Sequence, residues 1–377
     1  MLNRNFFYAL STLVGMIVGV GIFGIPYCFA QAGIMTGFFY LGVLGAMALL
    51  IHLFYGEIVL RTEGDHRLVG FAEKYLGRAG KRITGAVIIF EFYGAMLAYL
   101  IVAGQFLNLL LGRFFGGGDF SWTIVFFILG AAAIFFGLKT IGVIEFLMTF
   151  LLIIVAGIFI YQGGIRTDLI DFTTVNWANF FLPYGVILFA LTGGAAVPEM
   201  RHMLKGQEKK LKTAIIIGTL IPVLIYAVFA LSVVGVSGGQ TTKNAIEGMI
   251  PFLGEKIVII GAVFGFLAVI TSFLVVGLNL RQIFHCDYKI KKKLAWFLAC
   301  FVPLAGFIFG LNNFIAVIGF IGAIAGGLEG ILLILIYLKA KRTGRPAYSL
   351  RLPAFVPWLM MATFALGIIY HFIYLAE

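Results

Sequence analysis

"GVGIFGIPY", Gly19–Tyr27, lies inside the first long apolar run of the chain. Three glycines and a proline occupy what should be helix interior. There a glycine costs about 1 kcal/mol and a proline about 3 kcal/mol relative to alanine. The stretch reads as a break in a helix, and the purpose of that break decides the fold.

Composition gives the setting. Of 377 residues, 62% are hydrophobic and only 11% charged. Run after run reaches the roughly 20 apolar residues needed to cross a bilayer core of about 30 Å. The expected class is an all-α polytopic membrane protein. Apolar runs bounded by charge predict eleven helices, numbered 1 to 11, at 6–30, 35–60, 83–112, 121–138, 142–162, 180–200, 212–235, 256–280, 294–311, 313–338 and 353–376. The first is expected to be a retained helix rather than a cleaved leader, because it is long and further spans follow. The polar stretches 61–82 and 281–293 are too short to fold alone, so a single transmembrane domain is expected. Cys28, Cys286 and Cys300 are scattered and indicate neither a disulfide framework nor a metal site.

Placing the N-terminus in the cytoplasm puts 23 of the 27 lysines and arginines inside, leaving Arg113, Arg166, Lys243 and Lys256 outside. This is the positive-inside pattern. It puts the C-terminus outside, the membrane being taken as a cell inner membrane. It also explains the net charge of +11 without nucleic acid. "KIKKK", Lys289–Lys293, reads as a topology anchor.

A second break lies in helix 6: "FALTGGAAVPEM", Phe189–Met200. Its small residues also end in a proline, Pro198, as the first cluster ends in Pro26. One glycine cluster alone would read as close helix packing. Two proline-ended clusters five helices apart read as a site. Five is odd, so a second five-helix unit must be inverted, with repeats at about 6–162 and 180–338 and an extra helix at 353–376. Corresponding interruptions in two halves point to a transporter binding site. Unwound backbone is tolerated at membrane depth only where it lines a cavity or is buried in protein. The half-helix after the first break offers free N–H groups to an anion such as a carboxylate. The half-helix ending near Ala190–Thr192 offers carbonyls to an ammonium group or a cation. Together they match a zwitterionic amino acid.

These residues resemble a known family. "GVGIFGIPYCFAQAGIMTGFFYLG" (19–42), "FAEKYLGRAGKR" (71–82) and "YGAMLAYLIVAGQFL" (93–107) are similar to helices 1–3 of the amino acid/auxin permease family, within the amino acid–polyamine–organocation superfamily. "TGGAAVP" in helix 6 departs from it, with small residues where relatives carry polar or aromatic ones. The resemblance implies a leucine-transporter-like, five-plus-five inverted-repeat fold. Helices 1, 2, 6 and 7 would form a moving bundle, helices 3, 4, 8 and 9 a scaffold, helices 5 and 10 gates, and helix 11 would be peripheral. It implies that the N–H groups of Val20, Gly21 and Ile22 meet a substrate carboxylate. Carbonyls at Ile17, Phe189 and Thr192 would meet its ammonium. Phe189 would also be a lid, and Tyr99 would line the pocket. The small residues from Gly193 to Ala196 leave room for a neutral, bulky or aromatic amino acid.

An ion gradient is expected to drive uptake. Thr271 and Ser272 sit mid-span in helix 8. In sodium-coupled proteins of this fold such a pair joins helix 1 carbonyls, here Met16 and Ile17, around one sodium ion. Sodium is therefore the expected coupling ion, and no organic cofactor is expected. The alternative is a proton, which needs a titratable group within the membrane. Helix 5 lacks the lysine that some proton-coupled relatives carry there. Glu329, roughly 15 Å from the cytoplasmic end by helical rise, and His52 are the candidates. Glu57, Glu91 and Glu145 lie near that end, where snorkelling or ion pairing explains them. Glu199 complements the dipole of the second half-helix.

Other classes fit less well. No metalloprotease or nucleophile-elbow motif occurs, so an enzyme is not expected. A non-transporting amino acid sensor, which could keep the same broken helices and bind without turnover, is the further alternative, but sensors often add a long soluble tail. A channel usually needs oligomeric pore symmetry or a filter motif.

Overall fold

The computed structural model describes residues 4–137, 175–344 and 346–376, with scattered positions between 151 and 161. The described residues are helical, with no strand among them. Most of predicted helix 5, with Lys139, Glu145 and Arg166, lies outside them.

Helix 1 is broken. Its first half, 1a, is Arg4–Ile17; a 3₁₀ turn runs over Val20–Gly24; the second half, 1b, is Ile25–Ala32. The axis bends by 46°. Helix 2 is Ile34–Arg61, helix 3 Leu68–Leu107, helix 4 Asp119–Phe136, helix 7 Lys210–Ser237 and helix 8 Glu255–Gln282. Helix 6 is also divided, into 6a, Leu182–Ala190, and 6b, Val197–Met203. Helix 9 is Lys292–Ile308, and helix 11 is Phe355–Ala376. Helix 10 runs from Phe314 to Ala340 with a π-helical segment at Gly322–Gly326.

Two features depart from the sequence reading. The expected polar loop before helix 3 is mostly helical. Leu68–Leu76 form an amphipathic turn that buries Phe71 and Ala72 and exposes Glu73 and Lys74. It is redirected at Gly77, whose φ of +77° suits glycine alone. Helix 10 is not uniform: Gly322–Gly326 within "GAIAGG" is π-helical, and at Gly322 it lies directly against the backbone of 6a.

Helix 3 is the centre. Every residue from Gly94 to Gly104 is buried, and helices 4, 8, 9 and 10 pack around it. Helices 4 and 11 turn apolar side chains outward, among them Ile128, Leu129, Trp358, Leu359 and Leu366, as lipid contact requires.

The ends carrying the basic loops are tied together. Glu57 is fully buried and accepts from Arg61 Nε (2.9 Å) and Nη2 (2.6 Å), Ser349 Oγ (2.9 Å) and Leu350 N–H (2.8 Å). Arg61 Nη1 also donates to the carbonyls of Thr343 (2.7 Å) and Gly344 (2.9 Å). This ion pair staples the helix 10–11 connection onto helix 2. Removing one partner strands a buried charge, which costs about 3–5 kcal/mol. Glu57→Ala is expected to lower the melting temperature of the detergent-solubilised protein sharply, whereas Glu73→Ala, whose pair with Lys81 is exposed, is expected to change it little. Thermal unfolding of the two variants side by side checks this.

Candidate functional site

Helix 1a ends where Gly19 turns extended (φ −127°, ψ −154°). The first bond of the following turn is Ile22 N–H to Gly19 C=O, at 3.4 Å. The amides of Val20 and Gly21 precede that bond and lie outside the ladder. Of the three amides expected to meet a carboxylate, Ile22's is thus turned back into the chain. Phe23 holds the turn in place, edge-on to Phe106 of helix 3 (centroids 5.1 Å apart) and Phe229 of helix 7 (6.1 Å).

The two breaks touch. A Cβ on Gly21 would stand 2.7 Å from both Cα and Cβ of Ala190, the last residue of 6a. A Cβ on Gly193 would stand 2.3 Å from Ile17 Cγ1. Each break therefore uses a glycine to receive the end of the other's first half-helix. The room expected beside Gly193 is filled by the Ile17 side chain.

The carbonyls at the two half-helix ends have partners. The Tyr226 hydroxyl of helix 7 lies 2.6 Å from Ile17 O and 2.8 Å from Ala190 O. Phe189 C=O accepts from Thr192 Oγ1 (2.7 Å) and Thr192 N–H (3.2 Å). Two of the three carbonyls expected to face an ammonium, Ile17 and Phe189, are thus already engaged, because a helix end buried away from water recruits nearby donors. Ile17 C=O keeps a second lone pair, whereas Phe189 C=O already takes two donors, both from Thr192. Tyr226 has only one hydrogen to share between two carbonyls, so any new donor or cation arriving there competes with it.

Sequence reasoning passed over Tyr226. Its signal was a lone phenol in the apolar run "IPVLIYAVFAL" of helix 7, since a buried tyrosine hydroxyl needs a partner. Which partners it finds depends on how helix 7 crosses helices 1 and 6.

Tyr99 and Ser272 converge on the first break. A Cβ on Gly19 would lie 3.7 Å from Ser272 Oγ and 3.8 Å from the Tyr99 hydroxyl. Thr271, beside Ser272, donates to its own helix at Ala268 O (2.9 Å). Met16 packs partly buried against the apolar core. His52 is buried, with Nδ1 3.0 Å from Thr219 Oγ1 of helix 7, and its ring lies near Gly194 of the second break. Phe189 is buried at the end of 6a, against Gly322 of helix 10. Glu199 is exposed in the first turn of 6b. At the end opposite the basic loops a cavity of about 230 Å³ opens between 1b, 6a, helix 10 and helix 11, lined by Tyr27, Gln31, Asn179, Lys243, Asn313 and His371 among others.

Two broken helices meeting at their breaks mark a known architecture. The sequence profile of the tryptophan/tyrosine permease family matches residues 3–373. The chain belongs to that family. It is a multi-pass membrane transport protein and not an enzyme. The tyrosine-specific transport system 1 of Haemophilus influenzae is 26% identical over 358 residues, 88% of each chain. The glutamine transporter 2 of Aliivibrio fischeri is 24% identical over 336 residues, 86% of each. Among solved structures, MhsT in complex with L-phenylalanine superposes with a TM-score of 0.70 at 16% identity, covering 99% of this chain and 98% of that one. Mhp1, a nucleobase-cation-symport-1 family transporter, gives 0.63 at 13%, covering 98% and 92%. The fold is therefore leucine-transporter-like.

Gly21→Ala is expected to push the two breaks apart and weaken amino acid binding at least tenfold. Gly42→Ala in helix 2, where an added Cβ meets nothing within 4 Å, is expected to leave binding unchanged. Equilibrium binding of labelled amino acids to the two purified variants tests this. Tyr226→Phe leaves two buried carbonyls without their donor. It is expected to cost about 1–3 kcal/mol of stability, read as a lowered melting temperature.

Proposed function

We propose that this permease is a secondary active transporter that moves a neutral, bulky or aromatic amino acid by alternating access. The observation that carries the reading is the contact of the two helix breaks at Gly21 and Ala190. It brings the turn that carries the Val20 and Gly21 amides against the carbonyl end of 6a at Ala190, and Gly193 brings the second break against the end of 1a at Ile17. An α-carboxylate and an α-ammonium need those two kinds of group close together. Tyr99, Phe189 and Gly193 complete the proposed site. The substrate class is supported by the family description and by relatives named for tyrosine and glutamine.

The proposal includes a single domain of two inverted five-helix repeats. Helices 1, 2, 6 and 7 rock against helices 3, 4, 8 and 9. Kinship with the amino acid/auxin permeases, read from helices 1–3, belongs to it too. So does a cell inner membrane with the N-terminus cytoplasmic and the C-terminus outside, the arrangement that positive charge favours.

Two forms of ion coupling have support. Sodium would sit between the helix 1 break and helix 8, at Met16, Ile17, Thr271 and Ser272. The nearness of Ser272 to Gly19 favours it, while the hold of Tyr226 on Ile17 weighs against it. A proton would sit at Glu329 or His52. His52 already bonds Thr219, whereas Glu329 is half-buried in helix 10.

The test is uptake into proteoliposomes of labelled tyrosine, tryptophan, phenylalanine and glutamine, with sodium and proton gradients imposed separately. Accumulation of at least one, under one gradient, is expected. No uptake of any amino acid under either gradient overturns the proposal.

A further inference from the structure

The cavity at the end opposite the basic loops is separate from the junction of the two breaks. Gly185 of 6a and Gly319 of helix 10 both line it, and there the two helices touch: a Cβ on Gly185 would fall on the Gly319 carbonyl oxygen. Along helix 1, Gly24 lies between Tyr27, which lines the cavity, and Gly21, which lies at the junction. A Cβ on Gly24 would stand 2.7 Å from Ile318 Cδ1 and 3.1 Å from both Ile315 Cδ1 and Val186 Cγ1. Apolar side chains thus close helix 1 against helices 6 and 10 between the two places.

The polar groups around the cavity are mostly donors without a fixed acceptor. Asn313, at the start of helix 10, uses its Oδ1 to accept from Ala316 N–H (3.3 Å), which leaves its NH₂ group over. His371 of helix 11 is buried, and its Nε2 has no hydrogen-bond partner. Lys243 comes from the connection between helices 7 and 8. Arg113, at the same end of the molecule, pairs with Glu255 at 2.8 Å, whereas among the described residues no carboxylate pairs with Lys243. None of the described residues that line the cavity is acidic. Phe181 and Ile315 add an apolar wall.

The backbone that carries these groups is tied down. Lys243 is exposed, but its neighbours Thr241, Asn244 and Ala245 are buried. Asn244 Nδ2 donates to Gln105 Oε1 of helix 3 (3.4 Å), and Thr241 Oγ1 lies 2.8 Å from Ser237 Oγ at the end of helix 7. Ala245 takes a φ of +63°, a left-handed conformation uncommon outside glycine. Such backbone persists where its surroundings over-determine it, and it clusters at ligand clamps. On the opposite wall, Gln31 C=O at the end of 1b accepts from Asn176 Nδ2 (3.1 Å) and Asn179 Nδ2 (3.4 Å).

We propose that this cavity is a second binding site, for a small organic monocarboxylate without an ammonium group. The carboxylate meets Lys243 and the Asn313 amide, and the body of the molecule meets Tyr27, Phe181 and Ile315. An ammonium group would face Lys243 with no carboxylate to offset the repulsion, so a zwitterionic amino acid is disfavoured here. An inorganic anion would leave the apolar wall unmatched. The volume of about 230 Å³ lies below the roughly 300–1,000 Å³ of pockets for drug-sized ligands, which limits the occupant to a small acid. The cavity binds whether or not the chain moves amino acids, so this proposal and the transport proposal fail separately.

The test is equilibrium binding of labelled 3-phenylpropionate to the purified full-length protein, with an excess of tyrosine, tryptophan, phenylalanine and glutamine present to fill the helix-break site. Saturable binding is expected. Lys243→Gln is expected to weaken it at least tenfold, and Lys243→Arg, which keeps the charge, to stay within about threefold of wild type. Lys256→Gln, an exposed lysine at the same end, is expected to leave it unchanged. Phenethylamine, with an ammonium in place of the carboxylate, is expected not to compete. Absence of saturable binding, displacement of the label by the amino acids, or equal binding in Lys243→Gln overturns the site. Competition by phenethylamine overturns the choice of an anion. Should Lys243→Gln not fold, His371→Phe serves instead, and binding unchanged in that variant overturns the site.

Discussion

Backbone N–H and C=O groups at bilayer depth have no water to bond, so every one that leaves a helical ladder must meet protein or a bound molecule. The rest of this structure depends on that constraint. Helices 1 and 6 both leave their ladders mid-span, and each supports the other. Gly21 takes the end of 6a, Gly193 takes the end of 1a, and Tyr226 caps both ends with one hydroxyl. The glycines that weaken each helix by itself are what let the two breaks meet without a side chain between them.

The elements around this junction differ in what they contribute. Helix 3, buried along its middle, is a fixed post against which Phe23 and the 3₁₀ turn rest. Helix 7 supplies Tyr226 and, through Thr219, holds His52. Helix 10 approaches 6a so closely that only glycine fits at positions 185 and 322, where a Cβ would fall on a neighbouring backbone oxygen. Far from the breaks, the Glu57–Arg61 staple joins helix 2 to the helix 10–11 connection. Helix 2 and the end of helix 10 are thus held together at that end.

Carboxylates show how placement changes chemistry. Glu57 and Glu91 lie at comparable points along their helices, and sequence reasoning treated them alike. Glu57 meets a guanidinium and is neutralised by it. Glu91 is buried in helix 3, and among the described residues no lysine or arginine pairs with it. The difference lies in which helix stands opposite.

The sequence by itself determined the class of fold and the place of the breaks. Hydropathy, charge asymmetry and proline-ended glycine clusters act locally, and the cost of a glycine or a proline in a helix is paid wherever the chain goes. Tertiary structure decided the partners. Ile22's amide and Phe189's carbonyl are taken up by groups three residues away, but whether Ile17 and Ala190 offer their carbonyls depends on Tyr226, far away in the chain. Tyr226 lies 209 residues from Ile17. No period or motif encodes such a pairing, because it arises only when helices cross at a particular angle and depth.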